Sequence, residues 1–128
     1  MRILQVPPGL TEPLPDYPFE SKFVSVSSDS ETDPGQTLRI HYVEAGPADG
    51  QPIVFLHGNP SWSYLWRRSI QAVADLGFRA IALDLVGMGL SDRPSEIDDY
   101  TVKRHVAWIR SALIEGLDLH NMILVLHD

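Results

Sequence analysis

Ile53-Val54-Phe55-Leu56-His57-Gly58-Asn59-Pro60 is the stretch on which the architecture turns. Four apolar residues in a row, with no polar alternation, fit a short strand whose two faces are both covered by helices. The same grammar repeats downstream. Ser63 to Leu76 places Leu65, Trp66, Ile70, Val73 and Ala74 at helical spacing, with Gly77 as the stop. Phe78 to Leu85 reads as a second buried strand, and Gly87 to Pro94 as a loop. Thr101 to Glu115 is the next helix, its inner stripe Val102, Val106, Ile109 and Leu113 and its end Gly116. Met122 to Leu126 completes the series as a third buried strand, with Asp128 just past its tip. Strand, helix, strand, helix, strand predicts an α/β fold with a largely parallel sheet.

Upstream of Ile53 the pattern differs. Lys22–Ser27 and Thr37–Ala45 alternate as half-buried strands, the second with Leu38, Ile40 and Tyr42 on one face. Pro34-Gly35 lies between them, so an antiparallel hairpin precedes the parallel part. Residues 1–21 are expected to form an extended arm: residues 1–18 hold five of the ten prolines (Pro7, Pro8, Pro13, Pro15, Pro18), which remove amide donors and fix φ. Tyr17 and Phe19 are its expected anchors on the main domain, residues 22–128.

Bulk composition excludes several classes of function. With 128 residues the chain is one domain or part of one, and its net charge of −7 argues against nucleic acid or an anionic membrane as partner. There are no cysteines, hence no disulfide or thiolate metal site. The apolar start is too short and too proline-rich for a signal peptide, and no run approaches the ~20 residues of a membrane span. A cytoplasmic location is expected.

In open sheets of this kind ligands sit beyond the carboxyl ends of the strands. That directs attention to His57–Pro60, to the glycine loop and to Asp128. Position alone leaves two roles open for Asp128: N-cap of a following helix, or a reactive carboxylate. Asn59-Pro60 also fits a tight turn with a cis proline. Gly87-Met88-Gly89 is no dinucleotide fingerprint, because Asp92 stands where a third glycine should fall. Asp84, Ser91 and Asp92 are expected to fix that loop by local hydrogen bonds. His57 and His127 fit structural hydrogen-bonding roles. His41, His105 and His120 lack metal-ligand spacing, so neither metal nor cofactor is expected.

Three segments, His57-Gly58-Asn59-Pro60-Ser61-Trp62-Ser63-Tyr64-Leu65-Trp66-Arg67, Asp84-Leu85-Val86-Gly87-Met88-Gly89-Leu90-Ser91-Asp92-Arg93-Pro94 and Val125-Leu126-His127-Asp128, resemble the haloalkane dehalogenases of the α/β-hydrolase fold. The resemblance implies that Asp128 is a nucleophile that displaces halide from a haloalkane to give an alkyl ester. It implies that Asn59 lends its backbone N–H to the oxyanion hole and its side-chain amide to the departing halide. Trp62 is a possible pocket residue. The implied partners are a halogenated alkane, a halide ion and a complementary C-terminal part of the same protein. Base, acid, second halide donor, cap and further strands are all implied beyond Asp128, so residues 1–128 alone are expected to be neither stable as a monomer nor active. An epoxide hydrolase with the same aspartate, and a non-catalytic assembly module, are the competing readings.

Overall fold

The apolar runs become strands and the periodic segments become helices in the computed structural model, which describes residues 1–7, 10 and 14–128. Pro8 and Pro13 of the proline arm lie outside the described residues. In chain order the elements are β1 (Ile3–Leu4), β2 (Lys22–Ser27), β3 (Thr37–Ala45), β4 (Pro52–Leu56), α1 (Arg67–Asp75), β5 (Arg79–Leu83), β6 (Arg93–Pro94), α2 (Val102–Arg110) and β7 (Ile123–Leu126). Five strands form one sheet in the order β2-β3-β5-β4-β7. β3 runs antiparallel to both its neighbours, β2 and β5, whereas β5, β4 and β7 run parallel. The fold is therefore α/β, an antiparallel hairpin leading into parallel strands with flanking helices. Among the described residues no helix is long and apolar enough to cross a membrane.

Period-two alternation sorts the strand residues onto two covered faces. Leu38, Ile40, Val54, Ile81 and Leu83 join Trp108, Ala112 and Leu113 on the α2 side. Val43, Ile53, Phe55, Ala80 and Ala82 join Ile70 of α1 and Tyr17 of the arm on the other. Both faces of β4 and β5 are buried, which is why their sequences show no polar alternation.

Three expectations about packing need correction. The inner stripe of α2 is not Val102 and Val106, which are 82% and 59% exposed; Trp108, 1% exposed, faces the sheet instead. At about 100° per residue Trp108 and Val106 lie on nearly opposite sides of the helix. The larger side chain buries more apolar area, and its indole N–H finds an acceptor in Ser28 O at 3.0 Å. After Arg110 the helix widens into a π turn over Ser111–Gly116, which shifts the phase again. Leu65 is exposed rather than core, because Ser63–Trp66 is a 3-10 turn with a shorter repeat than the α-helical spacing assumed for it. Finally, β7 pairs only with β4 among the described strands. Its Ile123, Leu124 and Leu126 are exposed instead of buried, as on an edge strand.

The arm has one feature that periodicity does not reveal. β1 pairs antiparallel with β6, Ile3 opposite Pro94, so the N-terminus is stitched to the end of the glycine loop. Ser95 N donates to Arg2 O beside it at 2.9 Å.

Candidate active site

β4 and β7 are parallel neighbours in register, Leu56 opposite Leu126, so the residues that follow them emerge side by side. His127 N donates to Leu56 O at 3.1 Å, extending the ladder one step beyond the strands. Gly58 then lies flat against the end of β7. A Cβ added there would stand 2.2 Å from the carbonyl carbon of Asp128 and 2.6 Å from its oxygen. Only a residue without a side chain permits this approach. Asn59, next in sequence, is thereby held beside Asp128, and both are solvent-exposed. The Asn59–Pro60 peptide bond is cis, and Ser61 N closes the turn onto Gly58 O at 3.1 Å.

His57 braces this loop. Its Nε2 accepts from Leu85 N at 2.9 Å, which places the ring proton on Nδ1, facing Gly58 O at 2.8 Å. The ring is buried and both nitrogens are used, so His57 ties the tip of β4 to the tip of β5. His127 differs from expectation: its backbone N–H does the bonding, while its exposed ring packs edge-on against Trp66.

A second brace lies at the tip of β5. Asp84 is wholly buried. Its Oδ1 accepts from Ser63 N at 2.7 Å, and its Oδ2 from Leu90 N at 2.9 Å. His41 Nδ1 faces Oδ2 at 2.7 Å, and His41 Nε2 faces Ser21 Oγ at 3.0 Å. Burial pushes the Asp84 carboxyl up, but the hydrogen bond and charge interaction with His41, with the Leu90 and Ser63 amides, outweigh it and hold the group below the usual range. Ser91 Oγ donates to Asp84 O and accepts from His41 N at 2.8 Å. Asp92 holds Arg39 through both its backbone amide and its guanidinium. The loop residues Asp84, Ser91 and Asp92 are thus each bonded to β3, and Ser91 is bonded to Asp84 as well.

Tyr17 brings the arm into the same network, its hydroxyl 2.7 Å from Ser63 Oγ. Burial, which outweighs the Ser63 bond, raises its phenol to about 12. Trp62 stacks on Tyr64 and borders a groove of roughly 270 Å³ with Val6, Leu10, Gly89, Leu90 and Arg93. Asp128 is not among the residues lining that groove. The partnership of His41 with Asp84 had no signal in sequence, since the two are 43 positions apart and meet only through the β3–β5 register.

The chain resembles known proteins over its whole length. The family profile described as alpha/beta hydrolase fold matches residues 51–128. A haloalkane dehalogenase of Mycolicibacterium paratuberculosis is 45% identical over 128 residues, and one of Psychrobacter cryohalolentis 42%. Each alignment takes in 100% of this chain but 41% of the relative, so the chain spans well under half the length of these proteins. Among solved structures, haloalkane dehalogenase DpaA from Paraglaciecola agarilytica superposes with a TM-score of 0.85 at 35% identity, over 100% of this chain and 41% of its own. An epoxide hydrolase from Vigna radiata superposes with a TM-score of 0.72 at 35% identity, over 86% of this chain and 32% of its own.

Proposed function

This chain belongs to the α/β-hydrolase fold family, and we propose that within it residues 1–128 supply the nucleophile and part of the oxyanion site of a hydrolytic haloalkane dehalogenase. Asp128 is the proposed nucleophile. A carboxylate needs no base to become nucleophilic: one oxygen attacks the sp³ carbon bearing the halogen, a C–O bond forms, the carbon–halogen bond breaks and halide leaves with its electron pair. Water then adds to the ester carbonyl carbon of Asp128. One of its protons passes to a base, the acyl–oxygen bond breaks, the departing alkoxide takes up a proton and leaves as alcohol, and the Asp128 carboxylate is regenerated.

The observation that supports this reading is the contact between Gly58, the residue before Asn59, and the backbone of Asp128. A backbone N–H at Asn59 is suited to the oxyanion of the second step, and its side-chain amide to the leaving halide. The base comes, in this proposal, from polypeptide that completes the fold beyond residues 1–128. His57 has both ring nitrogens engaged, and the ring of His127 packs on Trp66. The exposed apolar residues of β7 are suited to receiving that complementary part.

A single turnover of the full-length protein with a bromoalkane in oxygen-18 water tests the mechanism. Expected is unlabelled alcohol, with the heavy oxygen on the Asp128 peptide by mass spectrometry. Labelled alcohol with unlabelled Asp128 would mean direct attack by water and end the proposal. The likeness to an epoxide hydrolase supports a second reading with the same aspartate; halide release measured against epoxide opening separates the two.

A further inference from the structure

We propose that Asp84 is a positioning residue for the loop that carries Asn59, acting from the tip of β5 through Ser63. The proposal rests on the roles of Asn59 and Asp128 just given. Its basis is a clamp. Residues 58–62 lie between two anchor points, His57 and Ser63, and both anchors are held by adjacent residues of one strand tip. Leu85 N donates to His57 Nε2 at 2.9 Å, and Asp84 Oδ1 accepts from Ser63 N at 2.7 Å. The loop is pinned at entry and exit to the same rigid point of the sheet.

Asp84 is built to be such a point. Its second oxygen accepts from Leu90 N and faces His41 Nδ1, so the carboxylate meets three donors from three segments. The glycine loop closes over it: a Cβ on Gly89 would fall 2.2 Å from Oδ2, and Gly89 itself takes φ +52°. This burial makes the site unforgiving. An asparagine at position 84 offers one acceptor and one donor. If its oxygen serves Ser63, its NH₂ faces the Leu90 N–H and His41 Nδ1; if flipped, the NH₂ faces the Ser63 N–H. A buried donor is left against a donor in either orientation, which costs more than a missing bond. Ser63 is the segment most readily released, since its other bond is to Tyr17 of the arm.

The consequence falls on both steps that use Asn59, halide departure through its side-chain amide and ester hydrolysis through its backbone N–H. In the full-length protein, D84N is expected to lower kcat per folded molecule by about 10–100-fold, the range associated with shifts approaching 1 Å. The fraction of Asp128 carrying the alkyl ester in the mass spectrum divides the loss between the two steps, and amide exchange should rise across residues 58–62. His41→Asn, whose side-chain amide can reach the place of Nδ1, should retain kcat within a few-fold, whereas H41L should follow D84N. Val26→Ala, on the far edge strand β2, provides a destabilised control expected to keep kcat per folded molecule. Wild-type kcat in D84N, or equal losses in D84N and V26A at matched stability, would overturn the proposal. If wild type releases halide without labelling Asp128, the nucleophile assignment fails. The exchange rate of residues 58–62 in D84N still decides whether Asp84 holds the loop.

Discussion

Replacing Gly58 by alanine bears directly on the contact that joins the two strand tips. The added Cβ would lie 2.2 Å from the Asp128 carbonyl carbon, 2.6 Å from its oxygen and 2.9 Å from His127 O. Carbon atoms prefer separations of about 3.5 Å or more, so the tips must part by roughly 1.3 Å. All three obstructing atoms are backbone, and no rotamer change relieves them. The nearest bond across the gap, His127 N to Leu56 O, is already 3.1 Å long and would be stretched beyond hydrogen-bonding distance. Overpacking of this kind costs about 1–3 kcal/mol. A displacement near 1 Å between nucleophile and oxyanion donor costs on the order of 100-fold in rate. G58A in the full-length protein should therefore show a lowered Tm and a halide-release kcat reduced by about two orders of magnitude. Unchanged kcat, whether or not Tm falls, would refute the claim that this contact sets the site.

Three further outcomes follow from the packing and charges. The Asp84 carboxyl is held below its ordinary value of 3.8 in the folded state, so its stabilisation is complete above that pH and is lost as pH falls toward the lower folded value. The Tm gap between wild type and D84N should be flat near neutrality and narrow below pH 3.8; a gap independent of pH would contradict the charged state of Asp84. Tyr17, raised from 10.0 to about 12, keeps its proton when folded after the unfolded chain has lost it. Stability should fall as pH climbs through that interval, and Tyr17→Phe should remove this part of the alkaline loss in denaturation titrations. For α2, Trp108→Ala should cost about 3–5 kcal/mol, whereas Val106→Lys should stay within about 0.5 kcal/mol; the reverse ranking in urea unfolding would restore the valine stripe.

The parallel core was legible because both faces of β4 and β5 are buried, and unbroken apolar runs such as Ile53–Leu56 are the direct result. The hairpin was legible from Pro34-Gly35 between two alternating segments. The helices were legible as elements but not in their rotation. Val102, Val106 and Trp108 were all available to cover the sheet, and the choice depended on which side chain filled the space beside Ser28. At the site, Asp128 and Asn59 stood out by their places after strands, with chemical roles that came from resemblance rather than from spacing.

By itself the sequence determined which segments are strands and helices, where the loops fall, and that a carboxylate and an Asn-Pro turn follow two buried-type strands. These are local matters of periodicity, turn chemistry and apolar content. Tertiary structure alone decided that Gly58 abuts Asp128, that His41 meets Asp84, and that the two residues just past β5 clamp the Asn59 loop at both ends. Each of those contacts joins residues tens of positions apart. They exist only because strand order and register bring the tips of β4, β5 and β7 together, and nothing in a linear pattern encodes which tips become neighbours.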